Sequence, residues 1–258
     1  MVIHPRPLVG LAYLPRFISH WIRFSQLDPK NRPRFVDIYP NLGDWVTSTP
    51  FDSHYFYQAA WLSRLLAAHP PEIHLDIGSD VKLIAVLSAF MPTEFMDYRP
   101  LDTVLPGLQC TRGNILSLSL GQDSVGSLSC LHVVEHIGLG RYGDPIDPEG
   151  SRKALAELER VVAVGGRLYL SVPVGRERVC FNAHRVFAPE SIVDMLPKMK
   201  LVSFSLVGDD GRFQPDCSMS KAGGLNYGCG MFLMEKRLPE NPSKTNVSDV
   251  LFSDASLL

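Results

Sequence analysis

The chain has 258 residues, of which 45% are apolar and 20% are charged, and its formal net charge is −2 at pH 7. These values are ordinary for a globular protein with one large core, and they give no overall attraction to nucleic acid. No run of about 18 apolar residues is present, so the sequence predicts no transmembrane helix. The five cysteines are scattered without a C-x-x-C pair, which favours reduced thiols in a cytoplasmic protein over a disulfide framework.

Residues 1–50 form a basic, proline-rich segment. The first 34 residues carry six arginines and lysines against one aspartate. Apolar side chains at roughly helical spacing predict a short amphipathic helix, formed by Phe17, Ile18, Trp21, Ile22 and Phe24. One interpretation is a helix packed on the main domain. The alternative is a basic, aromatic surface helix that contacts a membrane or a partner.

Residues 51–237 show strand and helix patterns that alternate. The sequence predicts a first helix capped by Asp52 or Ser53, and further helices at Val81–Phe90, Glu149–Val164 and Pro189–Met199. It predicts strands at Ile73–Ile77, Glu94–Tyr98, Gln109–Ile115, Ser127–His132, Gly166–Val172, Leu201–Val207 and Gly230–Glu235.

This alternation predicts an α/β, Rossmann-like fold with a mostly parallel, seven-stranded sheet and helices on both faces. A loop without a helix leads to the last strand, so we expect that strand to be antiparallel. Residues 238–258 are polar and show little periodicity, which predicts a disordered tail.

The turn after the first strand begins as a nucleotide-binding loop. In such sheets, ligands bind beyond the carboxyl ends of the strands. Asp76-Ile77-Gly78 follows an apolar strand, and Gly78 would let the backbone pass close to a ligand. Asp80 and Lys82 stand where further glycines are expected, and G-x-G-x-x-G is absent, which disfavours an NAD-dependent oxidoreductase.

Asp97 ends the second predicted strand, next to Tyr98. It lies 21 positions after Asp76 (97 − 76), close to the roughly 20-residue offset of the ribose-binding acid in dinucleotide sites. A carboxylate at this place can accept hydrogen bonds from two ribose hydroxyls. The alternative is a solvated aspartate at a strand end.

The run from His132 to His136 matches the zinc motif H-x-x-E-H. That motif needs a helix to bring both histidines to one face, but a strand precedes it and Gly138 and Gly140 follow. We therefore predict no metal site, and instead polar residues at the tip of a strand that face a ligand.

Two further loops are expected at the ligand face of the sheet. His184 lies in one of them and is a candidate general base or a structural histidine. Glycines make the segment 138–150 a candidate mobile lid. Four arginines on these loops suggest an anionic substrate, although solvated arginines would look the same: Arg141, Arg176, Arg178 and Arg185.

Taken together, these motifs resemble the class I S-adenosylmethionine-dependent methyltransferases. The segments that carry the resemblance are HLDIGSD (74–80), FMDY (95–98), GNILSLSL (113–120), SLSCLHVVEHI (127–137) and ERVVAVGGRLYLSVP (159–173). FDSHYFYQAAW (51–61), EHIGLGRYGDPIDPEG (135–150) and SVPVGRERVCFNAHRVFAP (171–189) are similar to a narrower methyltransferase-like family associated with bacterial surface-polysaccharide genes.

The resemblance implies S-adenosylmethionine as cofactor and assigns a position to each matching residue. It implies that Asp97 binds the ribose, that Asn114 lies near adenine, and that His132 lies near the sulfonium. It also implies that the first loop approaches the methionine part, through Asp76, Gly78 and Ser79, with Asp80 as a hypothetical partner of the ammonium.

The function predicted from this resemblance is methylation of an oxygen on a sugar or polysaccharide-related acceptor. An attacking hydroxyl gains from a base, and Glu135, His136 and His184 remain open as candidates. The alternative is a non-catalytic methyltransferase-like domain that binds a ligand without transferring a methyl group, which the missing glycines favour.

Overall fold

The computed structural model describes residues 10–238, so all of the predicted tail except Leu238 lies outside the described residues. The chain divides into two compact units, Met1–Phe51 and Asp52–Leu258. Among the described residues, no helix has the length and apolar character needed to cross a bilayer.

The first unit contains helix α1 (Leu14–Leu27), with Pro15 in its first turn, where a missing N–H costs nothing. None of its residues is buried, and several of its large apolar side chains are exposed. Within the same unit, the guanidinium of Arg16 lies 3.6 Å from the centre of the Trp45 ring. The amphipathic pattern therefore does form a helix.

The second unit has an α/β architecture whose strands are bounded as follows: β1 His74–Ile77, β2 Thr93–Asp97, β3 Leu108–Arg112, β4 Val125–Leu131, β5 Val162–Val174, β6 Arg178–Cys180, β7 His184–Val186, β8 Met199–Val207, β9 Phe213–Gln214 and β10 Gly228–Lys236. Its helices are α2 Ser53–Ala68, α3 Val81–Leu87, α4 Gly150–Val161 and α5 Pro189–Asp194.

The main sheet has eight strands in the order β3-β2-β1-β4-β5-β10-β8-β9. Strands β1 to β5 are joined by parallel pairings, and β10 is antiparallel to both β5 and β8. The predicted fold class, with its antiparallel last strand, is confirmed. The eighth strand is β9, whose two residues are too few to leave a sequence pattern.

Helices cover both faces of this sheet because alternate strand residues point to opposite sides. One apolar cluster joins Leu168 and Leu170 of β5 to α4 and α5. The other joins Tyr169 of the same strand to α2 and α3. Between them, the two clusters fix the strands whose carboxyl ends form the candidate site.

The prediction of a helix up to Val164 is wrong at its end. Helix α4 stops at Val161, and β5 begins at Val162 with Gly165 in a left-handed conformation (φ +75°). The segment predicted as a loop between β5 and α5 contains a separate two-stranded hairpin, β6–β7.

Candidate functional site

A cleft of about 300 Å³ lies at the carboxyl ends of strands β1 to β4. We call it the strand-end cleft. Five of the residues predicted to bind a cofactor line this cleft: Gly78, Asp97, Tyr98, Asn114 and His132. Parallel strands bring residues far apart in sequence to this one edge of the sheet.

Gly78 lies at the floor of the strand-end cleft, where a side chain would occupy the space between Val133 and Asp97. Its φ of +70° is one that side-chain-bearing residues rarely adopt, and its N–H donates to the carbonyl of Met96 at 3.0 Å. A Cβ atom here would lie 3.3 Å from the Val133 methyl groups and 3.4 Å from Asp97 Oδ2. Glycine therefore keeps the floor of the cleft open beside the Asp97 carboxylate.

Asp97 presents a carboxylate to the strand-end cleft. Its Oδ1 accepts a hydrogen bond from the backbone N–H of Arg99 at 2.7 Å, while Oδ2 faces the Cα of Gly78. The Asp97 backbone carbonyl accepts from Gly113 at 3.0 Å, which fixes the start of the next loop. The half-buried carboxylate is thus held in place with one oxygen directed towards the glycine loop.

The loop after β3 supplies an apolar wall. Ile115 and Leu118 are buried there, and Leu116 is partly buried beside them. Asn114 is exposed at the mouth, and its Oδ1 accepts from the N–H of Leu116 at 3.0 Å. Tyr98, which is half exposed, lines the same cleft. The apolar side chains of this wall could pack against the face of a flat ring of a ligand, and Asn114 could hydrogen-bond to polar atoms at the edge of that ring.

Asp76 is buried, and its carboxylate is hydrogen-bonded to neighbouring protein groups. It is fully buried, with Oδ1 accepting from the N–H of Ser79 at 3.0 Å and Oδ2 accepting from the hydroxyl of Ser129. Burial raises the pKa of Asp76 to about 6, although these hydrogen bonds oppose the shift. His74 extends the network to Ser129 and Ser127 (2.9 and 2.8 Å), and burial lowers the pKa of His74 to about 4.

Ser79 and Asp80 likewise bind backbone groups. The Ser79 hydroxyl accepts from the N–H of Leu131 at 3.0 Å, which ties the first loop to β4. The Asp80 carboxylate accepts from the N–H of Lys82 at 2.7 Å and caps α3. The structure therefore brings Gly78 and Asp97 together at the cleft, and gives Asp76, Ser79 and Asp80 hydrogen bonds that shape the loop.

His132 follows β4 in a left-handed conformation (φ +54°), a strained backbone for a residue with a side chain. Its Nδ1 donates to Glu135 Oε1 at 2.8 Å, and its Nε2 lies 3.3 Å from Cys229 Sγ. Burial disfavours the charged ring, but Cys229 and Glu135 outweigh this effect and raise the pKa of His132.

Glu135 is fully buried between two histidines. Its Oε1 lies 2.8 Å from His132 Nδ1 and 3.7 Å from His136 Nε2. Its Oε2 has no hydrogen-bond partner among residues 10–238. A buried carboxylate oxygen without a partner is costly, which is typical of a residue kept for function.

His136 is held in one tautomer. Its Nδ1 donates to the carbonyl of Ala183 at 2.6 Å, so the lone pair of the neutral ring is on Nε2. Burial lowers the pKa of His136, against the opposing charge of Glu135. At neutral pH the ring is therefore uncharged and can accept a proton at Nε2.

A second cleft of about 480 Å³ adjoins the first, and we call it the histidine cleft. Four histidines line it: His54, His132, His136 and His184. His184 packs against Tyr227, with ring centroids 4.8 Å apart, and burial lowers the pKa of His184. His132, His136 and Tyr142 line both clefts. The two clefts therefore meet at the end of β4.

The glycine-rich segment 138–150 closes one side of both clefts. The Asp144 carboxylate accepts from the N–H groups of Gly138 and Tyr142 at 2.6 and 3.2 Å. Burial opposes ionisation of Asp144, but these backbone donors lower its pKa overall. The expectation that Arg185 faces a ligand is wrong, because its buried guanidinium donates to the carbonyl of Ile137 at 2.6 Å.

Sequence reasoning missed three residues of the histidine cleft or its wall: His54, Tyr227 and Cys229. His54 lies in the first turn of helix α2, two residues after the N-cap Asp52, whose carboxylate accepts from the His54 N–H at 3.0 Å. The His54 ring stacks on both Tyr227 and His132, with centroids 5.2 and 5.6 Å apart. The sequence indicated the N-terminal cap of α2, but it gave no indication that the start of this helix packs beside the end of β4.

Solved structures with similar folds include several methyltransferases. The N-methyltransferase NodS from Bradyrhizobium japonicum WM9, in complex with S-adenosyl-L-homocysteine, is 15% identical, with a TM-score of 0.50 over 75% of this chain and 91% of NodS. A putative methyltransferase bound to the Trm112 activator from Haloferax volcanii is 14% identical, with a TM-score of 0.50 over 74% and 92% of the two chains. A putative methyltransferase from Bacillus halodurans C-125 is 12% identical, with a TM-score of 0.50 over 70% and 99%.

Comparison of the sequence with known families matches a smaller part of the chain than the structural comparison does. A family model described as a Caenorhabditis protein of unknown function, DUF268, matches residues 121–209, about a third of the chain. No curated protein sequence matches. At these identities the structural likeness shows the fold alone, the α/β Rossmann-like sheet that these methyltransferases share.

Proposed function

We propose that this protein is an S-adenosylmethionine-dependent methyltransferase that acts on a hydroxyl oxygen. The observation that carries the proposal is the junction of two clefts at the carboxyl edge of the sheet. The strand-end cleft would hold the cofactor and the histidine cleft the acceptor. His136 lies where they meet, and can accept a proton there.

The residues of the strand-end cleft fit the proposed cofactor. Asp97 offers a fixed carboxylate for the ribose hydroxyls, beside a glycine whose missing Cβ leaves the space open. The apolar side chains of Ile115 and Leu118 offer a surface for adenine, with Asn114 at its edge. Pockets of this size and composition are typical of small-molecule sites.

S-adenosylmethionine would supply a methyl group already activated by a positively charged sulfur, so the protein has to align the acceptor and exclude water. His136 would take the proton that the acceptor hydroxyl loses, at Nε2. Glu135 Oε1, 3.7 Å from that nitrogen, would stabilise the resulting imidazolium. His184 lies across the same cleft and would position the acceptor.

The lining of the histidine cleft favours a polar acceptor. Tyr55, Tyr142 and Tyr227 offer aromatic faces, and Asn182 and Arg141 offer donors. Such a mixture suits a sugar ring, which has apolar faces and hydroxyls around its edge. A glycan acceptor, with a negative charge near Arg141, is our proposal for the substrate class, and its surface-polysaccharide setting rests on the sequence resemblance.

A non-catalytic binding domain is the second candidate. It is favoured by the first loop, where Ser79 and Asp80 are engaged with backbone groups and Val133 packs beside Gly78. The two functions differ in what His136→Gln does. A methyltransferase loses methyl transfer to its acceptor by about 10²–10⁴-fold for a lost base, a loss that exceeds any change in cofactor affinity caused by the same substitution. If wild-type protein binds the cofactor but methylates no member of a panel of sugars and glycans, the binding domain is favoured.

We also propose that the first unit contacts an anionic membrane surface from the cytoplasm. Ile18, Ile22 and Phe24 of α1 are exposed, and arginines and lysines accompany them in residues 10–34. Exposed apolar side chains next to basic ones favour adsorption to anionic lipid. The five cysteines are free thiols, which supports a reducing compartment.

A further inference from the structure

Three side chains with nitrogen or sulfur atoms that can bind a metal converge at the wall of the histidine cleft. The ligand atoms of His54, His132 and Cys229 all lie within 4.8 Å of one another. His132 Nε2 is 3.3 Å from Cys229 Sγ. These residues come from three separate parts of the fold: the first turn of α2, the residue directly after β4 and the start of β10.

We propose that these residues bind a zinc ion. Zinc takes nitrogen ligands at about 2.0–2.1 Å and thiolate sulfur at about 2.3 Å, so ligand atoms of a tetrahedral site are about 3.6 Å apart. The pair formed by His132 and Cys229 already has nearly that spacing. His54, which is only partly buried in the first turn of its helix, closes the remaining distance with a movement of about 1 Å.

Glu135 completes the arrangement without touching the ion. A histidine that ligates zinc through one ring nitrogen commonly donates the other N–H to a carboxylate, which fixes its orientation. His132 does this through Nδ1, which donates to Glu135 Oε1 at 2.8 Å and leaves Nε2 towards Cys229. One Zn²⁺ would balance the negative charges of a Cys229 thiolate and the buried Glu135 carboxylate.

This ligand set differs from the H-x-x-E-H motif. Residues Val134–His136 form a short 3-10 helix, and His136 Nδ1 is bound to the carbonyl of Ala183. His132 is thus shared with the motif, whereas His54 and Cys229 lie far from it in sequence. Three protein ligands leave a fourth position, as in catalytic zinc sites, and His54 and His132 line the histidine cleft. A role of the ion in binding the acceptor oxygen would rest on the proposed methyl transfer; zinc binding itself does not.

Titration of the metal-free full chain with zinc, and separately with cobalt, tests the proposal. We expect one zinc ion per chain and, with Co²⁺, a near-ultraviolet thiolate-to-metal absorption band. Cys229→Ser should abolish that band and lower zinc affinity at least 100-fold, and Glu135→Gln should lower affinity about 10–100-fold. Cys110→Ser, which changes a partly buried cysteine of β3, should leave both unchanged.

Two results would overturn the zinc site: no zinc binding by folded wild-type protein, or equal affinity in wild type and Cys229→Ser. If Cys229→Ser does not fold, His54→Ala replaces it, because His54 is only partly buried. Its affinity must then fall at least tenfold for the proposal to stand. Zinc titration is read without S-adenosylmethionine, so a failure of the methyltransferase proposal would not be confused with a failure of the metal site.

Discussion

Gly138 and Gly143 form a matched pair that tests how the glycine-rich segment is held. Both have left-handed backbones, with φ of +82° and +85°. A Cβ on Gly138 would lie 2.0 Å from the carbonyl oxygen of Asp147, whereas a Cβ on Gly143 would meet no heavy atom within 4 Å. Alanine at either position therefore carries the same backbone cost, and only Gly138→Ala adds a collision with backbone.

The left-handed conformation costs about 1–2 kcal/mol for a residue with a Cβ, so we expect Gly143→Ala to lower the free energy of unfolding by about that amount. Relief of the collision at Gly138 requires the segment to move by about 1 Å, since such contacts are normally above about 3 Å. That movement breaks two hydrogen bonds, from Gly138 N–H to Asp144 at 2.6 Å and from Asp147 N–H to Gly138 at 3.0 Å.

At about 1 kcal/mol for each bond, added to the backbone cost, Gly138→Ala should lower the free energy of unfolding by about 3–4 kcal/mol in total. Urea denaturation of both variants, followed by far-ultraviolet circular dichroism, measures the difference. Equal losses of stability in the two variants would refute the packing of Gly138 against Asp147. Because Tyr142 and Asp144 line the strand-end cleft, Gly138→Ala should also weaken cofactor binding more than Gly143→Ala.

Three further predictions concern proton transfer, buried charge and membrane contact. Burial lowers the pKa of His136, so methyl transfer should be constant at neutral pH and fall below about pH 6.5; a pH–rate profile whose acid limb survives His136→Gln would contradict its role. His74, with its pKa lowered to about 4, makes stability rise with pH between about 4 and 6.5, while Asp76, with its pKa raised to about 6, makes stability fall between about 3.8 and 6. His74→Asn removes the first contribution, so from pH 4 to pH 6 its unfolding free energy should follow a more negative slope than that of wild type, by about 1 kcal/mol per pH unit, and an unchanged slope would contradict the assignment. The double change Ile18→Glu and Ile22→Glu should abolish cosedimentation with anionic vesicles, whereas Val104→Glu, at a residue 99% exposed in the second unit, should not; binding retained in the double variant would refute the membrane proposal.

The fold could be predicted because its signals are local. Alternating strands and helices, and a last strand reached without a helix, give the sheet and its antiparallel strand. The end of α4 could not be placed, because Val161 and Val162 continue the apolar helical pattern while β-branched side chains also favour a strand. Only the packing of β5 between β4 and β10 decides between the two.

The candidate site was predictable where residues lie at strand ends. Gly78 and Asp97 follow from the turn after β1 and from the offset between two strands. The setting of Asp76 could not be predicted, since sequence shows an acid in a motif but not its burial against Ser129. His54 and Cys229 were missed because they reach His132 through long-range packing, across 78 and 97 residues (132 − 54 and 229 − 132).

Calorimetric titration with S-adenosylhomocysteine tests the central claim most directly, because it reports on the strand-end cleft without an acceptor. We predict binding by wild type, a loss of at least tenfold in affinity for Asp97→Asn, and unchanged affinity for Asp102→Asn, which alters an exposed aspartate outside the cleft. No binding by folded wild-type protein, or equal affinity in wild type and Asp97→Asn, would contradict the assignment of this cleft to the cofactor.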